Sequence, residues 1–168
     1  MKIFIIGYMY SGKSTIGKKL ANALGFDFID TDNLFEEKHH ISIPNFFEKY
    51  GEDLFRKFEK EVLFSTNALQ NTIISTGGGT ACSDENIRYI KENGTSVYLE
   101  SDIDTIMARL QYSKKERPVL SKMPKEELQG FILKQIEERK PFYKQADIII
   151  PAKDVRIEDL KKRIEERK

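Results

Sequence analysis

The chain is poor in the residues that mark disulfide-rich, membrane-spanning or repetitive proteins. Of its 168 residues, one is cysteine and none is tryptophan. The lone Cys82 excludes an internal disulfide and favours a reducing compartment. No apolar run approaches the roughly 18 residues of a membrane span, and the sequence contains no internal repeat or linker. We therefore expect one domain over residues 1–168, long enough to bury a sizeable core.

A dominant charge of one sign is also missing. The chain has 28 basic and 27 acidic side chains, and hence a net charge of +1. No overall field draws it toward nucleic acid or anionic lipid, so recognition of any anion must be local. The N-terminal apolar run, residues 3–6, leads directly into Gly7 and Lys13, unlike a secretory signal. We expect a cytoplasmic protein without nucleic-acid or membrane partners, and nothing in the sequence demands more than a monomer.

The strongest motif reads G-x-x-x-x-G-K-S and occupies residues 7–14. It lies between an apolar run and a segment with apolar residues at helical spacing, which predicts a strand, a turn and a helix. This order directs backbone N–H groups and the positive end of the helix toward one bound phosphate. Lys13 adds a cation for the outer phosphates, and the Ser14 hydroxyl is a ligand for Mg²⁺. The other candidate nucleotide contacts are Gly7, Tyr8, Met9, Tyr10, Ser11, Gly12 and Thr15.

Two carboxylates follow the next predicted strand, residues 26–29, in the triplet Asp30-Thr31-Asp32. The carboxyl end of a strand lies at the edge where open α/β sheets bind ligands. Asp30 can reach Mg²⁺ through water, and Asp32 can accept the proton of a hydroxyl. An equally good interpretation is structural, with Thr31 or Asp32 as the cap of a helix over residues 33–38. The triplet by itself leaves both interpretations open.

Residues 43–59 predict a short turn and a long helix with an internal ion pair. Arg56 and Glu59 are three residues apart and can meet on one helical side. A surface ion pair is the simpler explanation for them.

Three consecutive glycines, Gly77 to Gly79, follow the predicted strand at residues 72–75. They allow the backbone to approach a ligand closely, although a generous loop would look similar. The polar stretch at residues 111–118 is typical of a mobile lid and equally of a plain surface loop. Pro124 is expected to start a long helix that Pro141 restarts. Strands that alternate with helices throughout the chain predict an α/β fold with a parallel sheet covered on both faces.

With these residues identified, the chain resembles the shikimate kinases over nearly its whole length. The matching motifs beyond the phosphate loop are D-T-D at 30–32, I-x-x-x-F-x-x-x-G-E-x-x-F-R-x-x-E at 43–59, G-G-G at 77–79, R-P at 117–118 and R-x-P-x-Y at 139–143. They occur in the family's order. One position departs from the pattern, because the family usually has glycine where this chain has Tyr10. A tyrosine there must accept the local backbone angles or force a different loop.

The resemblance implies a three-layer α/β fold of the P-loop NTPase type, with a five-stranded parallel sheet in the order 2-3-1-4-5. It implies ATP-dependent, Mg²⁺-dependent phosphorylation of the 3-hydroxyl of shikimate. Residues 31–60 would bind shikimate, and residues 111–123 would form a mobile lid.

Roles for individual residues also follow from the resemblance. Lys13 would contact the β and γ phosphates, with Ser14 on Mg²⁺ and Asp30 on the metal through water. Asp32 would receive the reacting hydroxyl. The implied carboxylate contacts are Arg56 and Arg139, with Glu59 bracing Arg56. Arg117 would contact the transferring phosphate, and Arg109 would contact the adenine. The implied contacts to the shikimate ring are Phe47, Phe55, Gly77, Gly78 and Gly79.

Two alternatives remain open from the sequence. The first is another small-metabolite kinase of the same fold, such as a gluconate kinase, whose substrate lacks a cyclic carboxylate and would leave Arg56 and Arg139 without a common role. The second is a non-catalytic nucleotide-binding protein, for which Tyr10 is the hint.

Overall fold

The computed structural model describes residues 1–113, 120 and 123–167. Within these residues, five strands form one parallel sheet in the order β2-β3-β1-β4-β5, which confirms the expected topology. The strands are β1 (Lys2–Ile6), β2 (Asp27–Asp30), β3 (Thr72–Ser75), β4 (Thr95–Glu100) and β5 (Ile148–Pro151).

Helices flank the sheet and follow the predicted positions closely. They are α1 (Lys13–Leu24), α2 (Thr31–His39), α3 (Ile43–Tyr50), α4 (Glu52–Ser65), α5 (Asp84–Asn93), α6 (Ile103–Gln111), α7 (Lys125–Tyr143) and α8 (Ile157–Glu165). None of the described helices combines the length and the apolar character needed to span a lipid bilayer.

Three local predictions about the helices were wrong. Residues 43–50, expected to form a short turn, form the helix α3. The cap of α2 is Asp30, whose side chain accepts a hydrogen bond from the backbone N–H of Asp32, so neither Thr31 nor Asp32 is the capping residue. Helix α7 continues through Pro141 instead of restarting there. Proline removes one helical donor, but the helix has only two residues left, and the N–H of Lys144 donates to the carbonyl of Lys140 at 2.9 Å.

The central strand β1 separates two hydrophobic cores. Ile3 and Ile5 contribute to one core, and Phe4 and Ile6 contribute to the other, because successive side chains of a strand point to opposite faces. All four side chains are fully buried. A third cluster, outside the sheet, packs α2, α3 and α4 together through Phe35, Ile43, Phe46, Phe55 and Val62.

The register of the strands places the ends of β1, β2 and β3 side by side. Ile5 pairs with Ser75, and Ser75 pairs with Asp30 on its other side. The phosphate loop, the acidic triplet and the three glycines therefore begin at the same sheet edge, as the rule for open α/β sheets predicts.

Asp147 connects the edge strand β5 to the rest of the sheet. Its Oδ2 accepts hydrogen bonds from the backbone N–H of Ser96 at 2.9 Å and the Ser96 hydroxyl at 2.7 Å, and Arg167 lies 3.1 Å from Oδ1. Burial acts to raise the pKa of this carboxyl, but the Ser96 hydrogen bonds and the charge of Arg167 outweigh burial, and the pKa lies below its usual value. A lowered pKa stabilises the fold above the unfolded value of about 3.9, and this stabilisation is lost as the pH falls through the folded value.

We expect Asp147→Asn to lower the free energy of unfolding by about 1–2 kcal/mol at pH 7, because two charge-assisted hydrogen bonds weaken. The difference from the wild type should shrink below about pH 4, where the carboxyl becomes protonated. Urea unfolding at several pH values measures both effects. Asp159→Asn, which removes an exposed pair with Arg156, is the control and should change little. An Asp147→Asn deficit that does not depend on pH would contradict the role of the charge.

Candidate active site

Lys13 and Ser14 of the phosphate loop are the first two residues of α1. The Lys13 ammonium is buried and donates to the backbone carbonyls of Gly7 at 2.9 Å and Tyr8 at 2.8 Å. The Ser14 hydroxyl donates to Asp30 Oδ2 at 2.6 Å and lies 3.2 Å from the Ser75 hydroxyl. The two candidate metal ligands, from α1 and β2, are therefore in direct contact.

Tyr10 adopts a left-handed backbone conformation, which favours glycine. Its φ is 63°, in the left-handed region that costs a residue with a side chain about 1 kcal/mol or more. The phosphate loop therefore contains some backbone strain at Tyr10. The guanidinium of Arg109 donates to the Tyr10 carbonyl at 2.8 Å and supports this turn from α6. Arg109 also lines a surface cavity with Tyr10, Ser11, Gly12 and Thr15, on the nucleotide side of the loop.

Tyr8 points its side chain away from the nucleotide side and into the core, where it is 3% exposed. Its hydroxyl donates to Gln135 Oε1 at 2.7 Å. The guanidinium carbon of Arg139 lies 5.4 Å from the centre of the Tyr8 ring, within the range of a cation–π contact. Tyr8 therefore offers its carbonyl to the loop and its ring to α7.

The remaining candidates converge on two adjoining cavities. The first, of about 240 Å³, is lined by loop residues that include Lys13 and Ser14. The second, of about 360 Å³, collects side chains from α2, α3, α4, α7 and the glycine loop. The predicted residues that line this second cavity are Asp32, Phe47, Phe55, Arg56, Glu59, Gly77, Gly78, Gly79 and Arg139, together with Met9 of the phosphate loop. Asp32, Gly77 and Gly78 line both cavities, so Asp32 lies at the junction between them.

Arg56 is held in the second cavity by two carboxylates. Its Nη1 lies 2.8 Å from Glu59 Oε2, and its Nη2 lies 3.2 Å from Glu52 Oε1. Burial acts to lower the pKa of Arg56, but Glu59 and then Glu52 outweigh it, and the pKa is raised above its ordinary value. The simpler sequence interpretation, a surface ion pair, is wrong because Glu59 is only 5% exposed.

Glu59 is the buried anchor of this arrangement. Burial raises its pKa above the usual value, and the nearby charge of Asp32 adds to the rise. The ion pair with Arg56 and a hydrogen bond from the Thr80 hydroxyl act in the opposite direction without cancelling the effect of burial. Both oxygens of the carboxylate have partners, since Thr80 donates to Oε1 at 2.7 Å.

The glycine loop lets the side chains of Arg56 and Asp32 approach its backbone closely. A Cβ on Gly79 would lie 2.5 Å from Nη1 of Arg56, and a Cβ on Gly77 would lie 2.8 Å from Oδ1 of Asp32. The loop is fixed at two points, because the N–H of Gly77 donates to the Thr31 hydroxyl at 3.1 Å and the Tyr143 hydroxyl donates to the carbonyl of Gly78.

Arg139 presents a donor without a partner. Its Nη1 is buried and makes no hydrogen bond to any residue that the structure describes. Because buried donors are rarely left unsatisfied, this nitrogen points to a ligand that accepts a hydrogen bond. Arg139 and Arg56 line the same cavity, so such a ligand would meet two guanidinium groups.

Sequence reasoning missed several residues of the site, among them Ile43 and Phe131 in the wall of the second cavity. Glu52, four residues before Arg56, was detectable from helical spacing. Gln135 and Thr80 gave no local signal, because their partners lie 127 and 21 residues away in sequence. Arg117, with most of the predicted lid, lies outside the described residues, and its role stays a prediction.

The strand order, the phosphate loop and the adjoining cavity define the class of the protein, which is a P-loop kinase of small metabolites. A model of the shikimate kinase family matches residues 9–167. The chain therefore belongs to the shikimate kinase family, and it is an enzyme that uses ATP.

Individual relatives agree with this assignment. The shikimate kinase of Parabacteroides distasonis is 38% identical over 151 residues, which make up 90% of this chain and 87% of that protein. The crystal structure of shikimate kinase from Bacteroides thetaiotaomicron is 37% identical, with a TM-score of 0.89 over 99% of this chain and 97% of that one. Shikimate kinase from Acinetobacter baumannii, solved in complex with shikimate, is 32% identical, with a TM-score of 0.87 over 98% of this chain and 90% of that one.

Gly79→Ala should displace the Arg56 guanidinium, because the new methyl group would occupy its place. The fold should survive, since the end of a flexible side chain moves more easily than the loop. We expect the KM for the phosphoryl acceptor to rise about tenfold, which corresponds to the loss of one charge-assisted hydrogen bond. The KM for ATP and the melting temperature should change little.

Gly130→Ala is the matched control, because a Cβ on Gly130 in α7 meets no atom within 4 Å. Steady-state kinetics and thermal unfolding of both variants provide the measurement. An unchanged acceptor KM in folded Gly79→Ala protein would show that Arg56 does not need its observed position.

Proposed function

We propose that the chain transfers the γ-phosphoryl group of ATP to the 3-hydroxyl of shikimate, giving shikimate 3-phosphate and ADP. The observation that carries the proposal is the buried Nη1 of Arg139, which has no hydrogen-bond partner among the described residues and belongs to a side chain that lines the same cavity as Arg56. Shikimate is a small ring acid, and its carboxylate would satisfy this donor. The relative from Acinetobacter baumannii, which was solved with shikimate, supports the choice of acid.

The second cavity offers a ring acid both positive charge and an apolar wall. Two guanidinium groups can fork a carboxylate, which lysine does less well. Phe47 and Phe55 lie with ring centres 4.6 Å apart and provide an apolar wall beside Arg56. The proposed substrate segment, residues 31–60, supplies these side chains from α3 and α4, whereas Arg139 comes from α7.

The nucleotide is proposed to bind on the other side of Asp32. Lys13 would exchange its backbone carbonyl partners for the outer phosphates of ATP. Ser14 and Asp30 present hard oxygen ligands of the kind that Mg²⁺ prefers. Among the described residues no cluster of three or more His, Cys, Asp or Glu side chains could enclose a metal, which suits an ion that also binds phosphate oxygens and water. When bound, Mg²⁺ supplies neutralisation of the phosphate charge.

Catalysis by this site would consist of positioning and electrostatics. The transition state of phosphoryl transfer is loose, so little covalent chemistry is left to the protein. Asp32, at the junction of the two cavities, would orient the shikimate hydroxyl toward the phosphate and accept its proton late. Arg117 would approach the transferring phosphate when the lid at residues 111–123 closes, and Arg109 would contact the adenine.

We also propose that the enzyme works as a monomer in the cytoplasm.

The test of the function is a coupled assay of ADP release with Mg²⁺, ATP and shikimate, with gluconate as a parallel acceptor. We expect turnover that depends on shikimate, and none with gluconate. Lys13→Ala should abolish turnover with an unchanged circular dichroism spectrum, because the outer phosphates lose their cation. Folded wild-type protein without shikimate-dependent turnover would reject the proposal. Turnover with gluconate would favour the alternative that the chain is a gluconate kinase.

Arg139→Ala should raise the KM for shikimate by about 30-fold to 100-fold, because an ionic hydrogen bond to the carboxylate is lost. The KM for ATP should stay nearly constant. Lys140→Ala, which removes an exposed pair with Glu137 from the next position of α7, is the control. Equal losses for ATP and shikimate in the Arg139 variant would argue against a carboxylate clamp.

A further inference from the structure

Thr80 lies at the start of a chain of contacts that leads into the acid cavity. Its hydroxyl donates to Glu59 Oε1 at 2.7 Å, and the other oxygen of Glu59 holds Arg56 at 2.8 Å. We propose that Thr80 is a positioning residue for the acid substrate, whose hydroxyl fixes Glu59 so that Glu59 directs Arg56 toward the substrate carboxylate. This inference rests on the proposed function, because it assumes that Arg56 binds shikimate.

The hydroxyl of Thr80 is itself held in place by the surrounding backbone. The N–H of Thr80 donates to the carbonyl of Gly77 at 3.2 Å, and its own carbonyl accepts a hydrogen bond from the Asn86 side chain at 2.7 Å. The side chain is fully buried. Thr80 therefore does not touch the substrate, and its hydroxyl can act on binding through Glu59, the residue to which it donates.

Glu59 needs this donor because little water reaches it. A buried carboxylate oxygen without a hydrogen bond carries a large desolvation cost. If the Thr80 hydroxyl were absent, Oε1 would lose its partner, and Glu59 would either turn away from Arg56 or take up a proton. Both responses would release the Arg56 guanidinium from the direction that the ion pair imposes.

The charged and titratable groups around Glu59 fix the expected direction of a pH effect. Arg56 faces it from its own helix, Asp32 from α2, Arg139 from the wall that α7 forms, and Cys82 from the loop before α5. Burial already raises the pKa of Glu59, and the Thr80 hydrogen bond opposes that rise. Removing the hydroxyl should raise the pKa further, so that the ion pair with Arg56 is lost at a higher pH.

Thr80→Val removes the donor with almost no change of volume. We expect the KM for shikimate to rise about fivefold to tenfold at pH 7.5, with kcat and the KM for ATP changed by less than about twofold. Thr80→Ser, which keeps the hydroxyl, should restore most of the affinity. Measured from pH 5.5 to 8.5, the rise of the shikimate KM on the acid side should begin at a higher pH in Thr80→Val than in the wild type.

Thr72→Val is the matched control, because Thr72 is also buried and its hydroxyl donates to the carbonyl of Gln70, away from the acid cavity. It should leave the shikimate KM and its pH profile unchanged. Thr80→Ala removes the hydroxyl together with the γ-methyl group of threonine, and it replaces Thr80→Val in the test if the valine variant does not fold. An unchanged shikimate KM in folded Thr80→Val or Thr80→Ala protein, or an equal rise in the KM for ATP, would overturn the role of Thr80. Wild-type protein without shikimate turnover would instead overturn the proposed function, which the wild-type assay decides separately.

Discussion

Parallel pairing of β1, β2 and β3 is the constraint on which the rest of the molecule depends. Parallel strands bring their carboxyl ends to one edge, and the register aligns Ser75 with both Ile5 and Asp30. Three loops of different chemistry therefore begin side by side at the same edge of the sheet. Contact between Ser14 and Asp30, and the place of Asp32 between two cavities, follow from that alignment.

The acid cavity is built around a buried charge that the fold must support. Burial of Glu59 carries a desolvation cost, and an ion pair alone seldom repays such a cost. Here each oxygen of the carboxylate has its own partner, Arg56 on one side and Thr80 on the other. The result is a guanidinium whose direction is fixed before a ligand arrives, which reduces the ordering that binding would otherwise require. Glycine at position 79 completes the arrangement by leaving room for that guanidinium.

The sequence predicted those parts of the molecule whose causes are local. The phosphate loop was identified because strand, turn and helix lie in consecutive residues, and the strand order followed from the family resemblance. The pairing of Arg56 with Glu59 was also readable, but its burial was not, because the covering residues Gly79 and Thr80 lie about twenty positions further along the chain. The structural interpretation placed the cap of α2 at Thr31 or Asp32, but the cap is Asp30. Three adjacent polar side chains can each cap a helix, so the sequence does not decide among them. Only the fold decides that Asp30 does so while it also accepts from Ser14.

Tyr8 shows how the two halves of the site are joined through a single residue. Its carbonyl accepts from Lys13 on the nucleotide side, and its ring supports the guanidinium of Arg139 on the acid side. The hydroxyl fixes the ring by bonding to Gln135, one helical turn before Arg139 on α7. A movement of the loop at Tyr8 would therefore be felt by Arg139 through direct contact, without any change in the sheet. Because interiors are closely packed, such a contact can transmit displacement, and Tyr8 provides a direct contact between the phosphate loop and a wall of the acid cavity.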